Sequence, residues 1–136
     1  GASDGASDGA SDGETIASRV AYFSSAAVTA TAAHQVLHDA GELTRFAQQV
    51  AATDPRAAAE ITGSGKATDF SRQVLVGWTR TTGCSAATSA RLTVSGDRLT
   101  LRVSQPKAPP ECLRAYWMTV VFEVPKERIP ALPVFG

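Results

Sequence analysis

The stretch Arg91-Leu-Thr-Val-Ser95, Gly96-Asp97, Arg98-Leu-Thr-Leu-Arg-Val-Ser104 decides how this chain folds. Apolar and polar residues alternate on both sides of Gly96-Asp97, which is the period of a half-buried β-strand. A glycine–aspartate pair between two such runs is typical of a two-residue hairpin turn. The sequence therefore predicts an antiparallel hairpin with one apolar face, formed by Leu92, Val94, Leu99, Leu101 and Val103.

Strands are also predicted on either side of this hairpin. Residues 73–79 (QVLVGWT) are almost continuously apolar, which favours a central strand covered on both faces. A proline-rich loop follows the hairpin at 105–111, and residues 113–124 form the predicted last strand. Proline cannot donate a hydrogen bond to a sheet, so we expect the C-terminus to be an extended, unpaired flap containing Pro125, Pro130 and Pro133.

The N-terminal half combines strands with two helices. Residues 16–23 and 35–39 have strand character. Asp39 and Glu42 have the spacing of a capping box, which predicts a helix over 40–52. Asp54-Pro55 repeats the start signal and predicts a short helix over 56–61. The expected fold class is α+β, with an antiparallel sheet of hairpins packed against one main helix and a short second one.

Cys84 and Cys112 are the only cysteines, and each lies in turn-like sequence just before a predicted strand. These cysteines could form a disulfide, or they could be two buried free thiols in a cytosolic protein. We expect a disulfide, which would stabilise the fold by roughly 3–4 kcal/mol in the chain-entropy model. Such a bridge requires an oxidising compartment, so the expected location is extracytoplasmic, secreted or surface-anchored.

Residues 1–13 repeat the unit GASD three times and end in glycine. They offer no apolar side chain larger than alanine, which predicts a flexible tether before a single domain at 14–136. Both a native spacer and an engineered segment fit this repeat, and an upstream lipid anchor is an open alternative. Three aspartates make the tail −3, so a chain of zero net charge carries +3 on its remaining residues.

Several functional classes are disfavoured by the composition. The basic residues are scattered, which argues against a nucleic-acid partner. No apolar run approaches the ~20 residues that span a bilayer. His34 and His38 on a strand would stand ~13 Å apart at ~3.3 Å per residue, too far to share a metal ion. Neither a serine-nucleophile motif nor a complete phosphate-binding loop is present, so no cofactor and no catalytic residue are expected.

Asp69-Phe70-Ser71 before an apolar strand and Thr82-Gly83 after it, with the later hairpin and proline-rich loop, form a pattern over about 35–136. In this pattern the chain resembles the small C-terminal domain of PrcB-type proteins, which are named for a partner of an extracellular protease. That family often has a second glycine where this chain has Cys84. The resemblance implies an exported, noncatalytic partner domain, often in lipoproteins, and it supplies no active-site residues.

The preferred function is therefore an accessory domain that binds another secreted or envelope protein. Aromatic and arginine side chains are enriched at interface hot spots. The predicted contact patch consists of Lys107, Pro109, Pro110, Arg114 and Trp117. Three alternatives stay open: a carrier of a small apolar ligand, with a pocket between the first helix and the sheet near Trp78; a protease inhibitor that presents the proline-rich loop; and a small hydrolase.

Overall fold

The computed structural model describes residues 13–136, and its strands and helices follow the α+β class. The predicted tether lies outside the described residues except for Gly13. The elements in chain order are β1 (Glu14–Thr15), β2 (Arg19–Ala26), β3 (Ala33–Leu37), α1 (Ala40–Val50), α2 (Pro55–Ser64), β4 (Gln73–Gly83), β5 (Ser89–Ser95), β6 (Arg98–Ser104), β7 (Tyr116–Pro125), a 3₁₀ turn (Lys126–Arg128) and β8 (Val134–Phe135).

The strands divide between two sheets instead of forming the single sheet expected. The large sheet has the order β2-β7-β4-β3 and is antiparallel throughout. The small sheet has the order β1-β5-β6-β8, and the predicted hairpin forms its centre. The strands divide in this way because β4 and β7 are apolar on both faces. The helices bury one face of these strands, and the small sheet buries the other.

Two apolar cores follow from this arrangement. Between the sheets, the hairpin residues Leu92, Leu99 and Leu101 pack with Trp78, which is 5% exposed, and with Phe122. On the opposite face of the large sheet the helices contribute Leu43, Phe46, Ala47, Val50 and Ile61, which pack on Leu37, Leu75 and Val121. The large sheet is therefore the middle of three layers, as predicted for its central strand.

Both helices begin at the predicted caps. Asp39 Oδ1 accepts a hydrogen bond from the Glu42 amide at 2.8 Å, and Asp54 Oδ1 accepts one from the Ala57 amide at 3.1 Å. The Glu42 carboxylate accepts from the His38 amide at 2.7 Å, one residue before the usual capping-box partner. Helix α1 ends two residues earlier than predicted, and α2 extends to Ser64, where Gly65 ends it.

The C-terminus is not the unpaired flap that the prolines suggested. Beyond Pro133, residues 134–135 pair in parallel with the start of β6. The Val134 amide donates to the Asp97 carbonyl at 2.7 Å, and the Gly136 amide donates to the Leu99 carbonyl at 2.9 Å. Proline removes a donor only at its own position, so the two residues after the last proline remain able to pair.

A ring cluster holds this terminal strand in place. Phe135 stacks on His34 with ring centroids 4.4 Å apart, and it meets the edge of Trp78 at 5.3 Å. His34 is exposed on β3, and Phe135 covers one face of its ring.

Candidate binding cleft

The helices cover only one end of the large sheet. At that closed end the ring of Phe46 lies directly over Gly77, where a Cβ atom would come within 2.6 Å of it. At the other end the helix-facing side of the sheet is less completely filled, and several of its side chains, such as Ser24 and Ala26, are small. A cleft of about 490 Å³ remains between β2, β7 and the start of α2.

The floor of the cleft is built from alternate residues of two neighbouring strands. On β2 these are Tyr22, Ser24 and Ala26, and on β7 they are Trp117 and Thr119. The strand register places Ala26 opposite Trp117 and Ser24 opposite Thr119. Residues two apart on a strand share a face, so this pairing brings the indole beside small side chains that leave room above it.

The walls come from the ends of the helices and from a loop. The end of α1 contributes Val50 and Ala51. The first turns of α2 contribute Arg56, Ala57, Glu60 and Ile61, with the cap Asp54 before them. Val28, Thr29 and Ala30, in the loop after β2, form the rim together with Arg114.

One cation in this cleft has no partner among residues 13–136. The Asp54 carboxylate caps α2, and Arg56 Nε lies 3.9 Å from Glu60 Oε2. Arg114 is exposed and forms no ion pair or hydrogen bond through its guanidinium within the described residues. An arginine without a partner, in a cleft that also contains an indole, can receive a carboxylate or stack on a planar group.

The structure brings together two of the five predicted contact residues. Arg114 and Trp117 line the cleft, and Trp117 is half-buried, as is Tyr116 on the opposite face of β7. Lys107, Pro109 and Pro110 are exposed in the loop before β7 and do not line the cleft. Trp78 is a core residue, the interpretation preferred for it from the sequence.

The proline-rich loop is fixed at both of its ends. Cys84 and Cys112 form the predicted disulfide, with their Cα atoms 5.3 Å apart. Cys84 directly follows the end of β4. The sequence had suggested instead that it lies just before a strand. Gln105 Nε2 donates to the Thr82 carbonyl at 2.9 Å, and Ser85 Oγ donates to the Pro106 carbonyl at 2.8 Å. The loop that carries Arg114 is therefore anchored beside β4.

Residues 22–30 and the start of α2 were missed as site residues by sequence analysis. Their small, polar composition gave weak strand character and no functional motif. The available signal was the stretch from Ser24 to Ala33, which is alanine, serine and threonine except for Val28 and has few side chains large enough to fill the space beside a tryptophan. Its meaning depends on the distant Trp117, so the local sequence does not reveal it.

The titratable groups with displaced pKa values have local partners. The amide and ring of His38 lower the pKa of Glu42. Hydrogen bonds from Ser71 lower the pKa of Asp69 in an exposed turn. Arg19 lowers the pKa of Glu123, which is 9% exposed and also accepts a hydrogen bond from Thr68 at 2.7 Å. Each of these arrangements stabilises a cap, a turn or an ion pair.

The described residues offer little to other kinds of site. Within 13–136, no group of three His, Cys, Asp or Glu side chains could hold a metal ion. No helix in that range is long and apolar enough to cross a membrane. A wider groove of about 780 Å³ lies at the opposite end of β4, between Asp69, Arg72, Lys126 and Glu127. It has charges of both signs and no aromatic residue.

Comparison with known proteins adds no relative. No family model matches the chain, and neither curated proteins nor solved structures show a significant match. The similarity to PrcB-type domains stays a prediction.

Proposed function

We propose that this protein is a noncatalytic, extracytoplasmic binding domain that holds another secreted or envelope protein through the Trp117 cleft. The observation that carries the proposal is that Trp117 and Arg114, which has no ion-pair partner among residues 13–136, line one concave site. Tryptophan and arginine are the side chains most enriched at the energetic centres of interfaces.

Exposed apolar side chains around the cleft support a protein partner. Val28 on the rim is 50% exposed, and Leu113, next to Arg114, is 91% exposed. A contact that covers both would add apolar burial at about 25 cal/mol per Å² to the anchor in the cleft. Apolar groups around an arginine and an aromatic anchor are the usual composition of an interface core.

The Cys84–Cys112 bridge supports a location outside the reducing cytosol. Disulfides persist in secreted, periplasmic and surface environments, where thiols are not kept reduced. The proposed location is extracytoplasmic on this ground, with a lipid anchor upstream of residue 1 as one means of attachment.

A protease is one candidate partner. The support is the resemblance to PrcB-type domains in Asp69-Phe70-Ser71 and Thr82-Gly83. The braced loop with Lys107, Pro109 and Pro110 would present a rigid second contact beside the cleft. Inhibition of such a protease by this loop is a variant of the same proposal.

A small-ligand carrier is the second candidate, and its site differs from the one predicted. Phe46 fills the space between α1 and the sheet, and Trp78 lies on the opposite face of that sheet. The Trp117 cleft, at about 490 Å³, falls within the ~300–1,000 Å³ range of small-molecule sites. A carrier would therefore use this cleft.

The proposal is tested by immobilising the full chain and exposing it to envelope and secreted fractions of the source organism. We expect one protein to be retained specifically and to be lost with Trp117→Ala. Leu132→Ala is the matched control, since Leu132 is 85% exposed and does not line the cleft.

Two results would contradict the binding-domain proposal. One is a partner retained equally by wild type and Trp117→Ala. The other is no retained protein together with a small molecule that native mass spectrometry detects on wild type but not on Trp117→Ala, which would establish the carrier.

A further inference from the structure

Strand β2 is an edge strand with an open side. It is eight residues long, stands first in the order of the large sheet and pairs only with β7. Within residues 13–136, no backbone hydrogen bond joins its outer side to another segment. Alternate residues of such a strand point their amide and carbonyl groups outward, where they can pair with another chain.

The other edges of the two sheets are shorter or charged. Strand β3 has five residues, and β1 and β8 have two each. The hairpin strands that β1 and β8 leave partly uncovered carry Arg91 and Arg102. Charge and short length are the usual protection of an edge against pairing.

Strand β2 lacks this protection over most of its length. Its one charged residue, Arg19, donates to Glu123 at 3.0 and 3.2 Å. The register of its pairing with β7 shifts between Val20 and Tyr22, and beyond this shift the residues from Tyr22 to Ala26 pair regularly. This part of the strand contains neither charge nor proline, and it is long enough for four or five residues of an added strand.

The open edge continues directly into the binding cleft. Tyr22, Ser24 and Ala26 belong to both. Side chains of an added strand would stand beside these residues on the same face, because neighbouring strands align their side chains across a sheet. Every second side chain of the added strand would therefore stand on the same face as the cleft, and a long one would reach across the small Ala26 towards Trp117.

The charge distribution selects among such segments. Arg114 lines the cleft and precedes Trp117 in the chain, and no carboxylate among residues 13–136 forms an ion pair with it. We infer that the occupant is an extended segment of another protein that adds to β2, inserts an apolar side chain over Trp117 and places an Asp or Glu against Arg114. This inference rests on the proposed function and specifies how its partner is held.

The probe for this inference is a displayed library of random octapeptides selected against the full chain. Selected peptides are synthesised with a single N-methyl group at each position in turn, and their Kd values are measured. We expect N-methylation to weaken binding about tenfold at alternate positions and little between them, because only every second amide bonds to the edge.

The acidic residue is tested in the same peptides. Replacement of its carboxylate by an amide should weaken binding to wild type about tenfold, as expected for a hydrogen bond between charged groups. With Arg114→Ala the acid and amide peptides should bind equally. Arg91→Ala, an exposed arginine on the small sheet, is the matched control and should preserve the difference.

Three outcomes would overturn strand addition. Peptides that are insensitive to N-methylation but lost on Trp117→Ala would leave the cleft as a binding site without a strand on β2. No selected peptide, while a protein partner is still captured through Trp117, would leave only the proposed function standing. A concentration-dependent dimer with Tyr22–Ala26 amides protected from exchange would show that a second copy occupies this edge.

Discussion

The two ends of the helix-facing surface of the large sheet differ in how completely they are filled. At the closed end Leu37, Phe46, Leu75 and Val121 have no measurable exposure, and Glu123 is held by Arg19 and Thr68. At the open end Trp117 lies half-buried beside Ser24 and Ala26. The same strands therefore form a sealed core at one end and a partly open cleft at the other.

The two tryptophans should show the largest contrast in stability. Trp78→Ala removes a buried side chain between the sheets and should cost about 3–5 kcal/mol of unfolding free energy. Trp117→Ala removes a half-buried one and should cost about 1 kcal/mol, near the centre of the range for point substitutions. Urea unfolding at neutral pH measures both changes.

Fluorescence separates the same two residues without a large loss of stability. In Trp78→Phe the remaining indole is Trp117, and acrylamide should quench its emission efficiently. In Trp117→Phe the emission of Trp78 should be nearly resistant. Equal quenching in the two variants would mean that Trp78 and Trp117 do not differ in burial as described.

A change of intermediate size should come from glycine substitutions. Gly77→Ala places a methyl group against the Phe46 ring, and overpacking of this kind costs about 1–3 kcal/mol. Gly63→Ala on α2 is the control, since its Cβ atom would meet nothing within 4 Å and alanine favours a helix. The midpoint of urea unfolding should therefore fall for the first variant and not for the second.

A partial rescue would sharpen this result. Phe46→Leu in the Gly77→Ala background should recover part of the loss if the two groups compete for one space.

At the open end, Ala26→Val should change the unfolding free energy by no more than about 0.5 kcal/mol, because the cleft has room for it. A large loss there would contradict the difference between the ends.

The smallest effect should be the acid sensitivity due to Glu123. Its pKa is lowered by Arg19, so the folded chain favours the carboxylate more than the unfolded chain does, where the pKa is about 4.3. The stability from this group is present above that pH and is lost as the pH falls through the lower folded pKa. Half of the Arg19 side chain is exposed, so solvent screening limits the effect.

The measurement is the unfolding free energy at pH 7 and near pH 3. Glu123→Gln should lose less stability on acidification than wild type does. Glu111→Gln changes an exposed loop carboxylate and should behave like wild type. If all three proteins lose the same unfolding free energy on acidification, the Glu123–Arg19 pair does not stabilise the closed end.

Much of the fold could be predicted from the sequence because its signals are local. The alternation around Gly96-Asp97 produces the hairpin, and Asp39 and Asp54 begin the helices. The two cysteines had only each other as partners. All five predicted contact residues stay predictions. The structure places Arg114 and Trp117 in a cleft that the sequence could not reveal, and it places Lys107, Pro109 and Pro110 in the exposed loop.

What the sequence by itself determined was the two helices, the hairpin and the double cover of the central strand, since each depends on periods and signals within a few residues, and the disulfide, since the chain has only two cysteines. The tertiary structure alone decided the division into two sheets, the pairing of Val134–Phe135 with β6 and the position of the cleft. These features depend on residues far apart in the chain, such as Ala26 opposite Trp117 and Phe46 over Gly77. Whether a small side chain leaves a cavity or admits a neighbour is determined by what packs above it, and no local pattern contains that information.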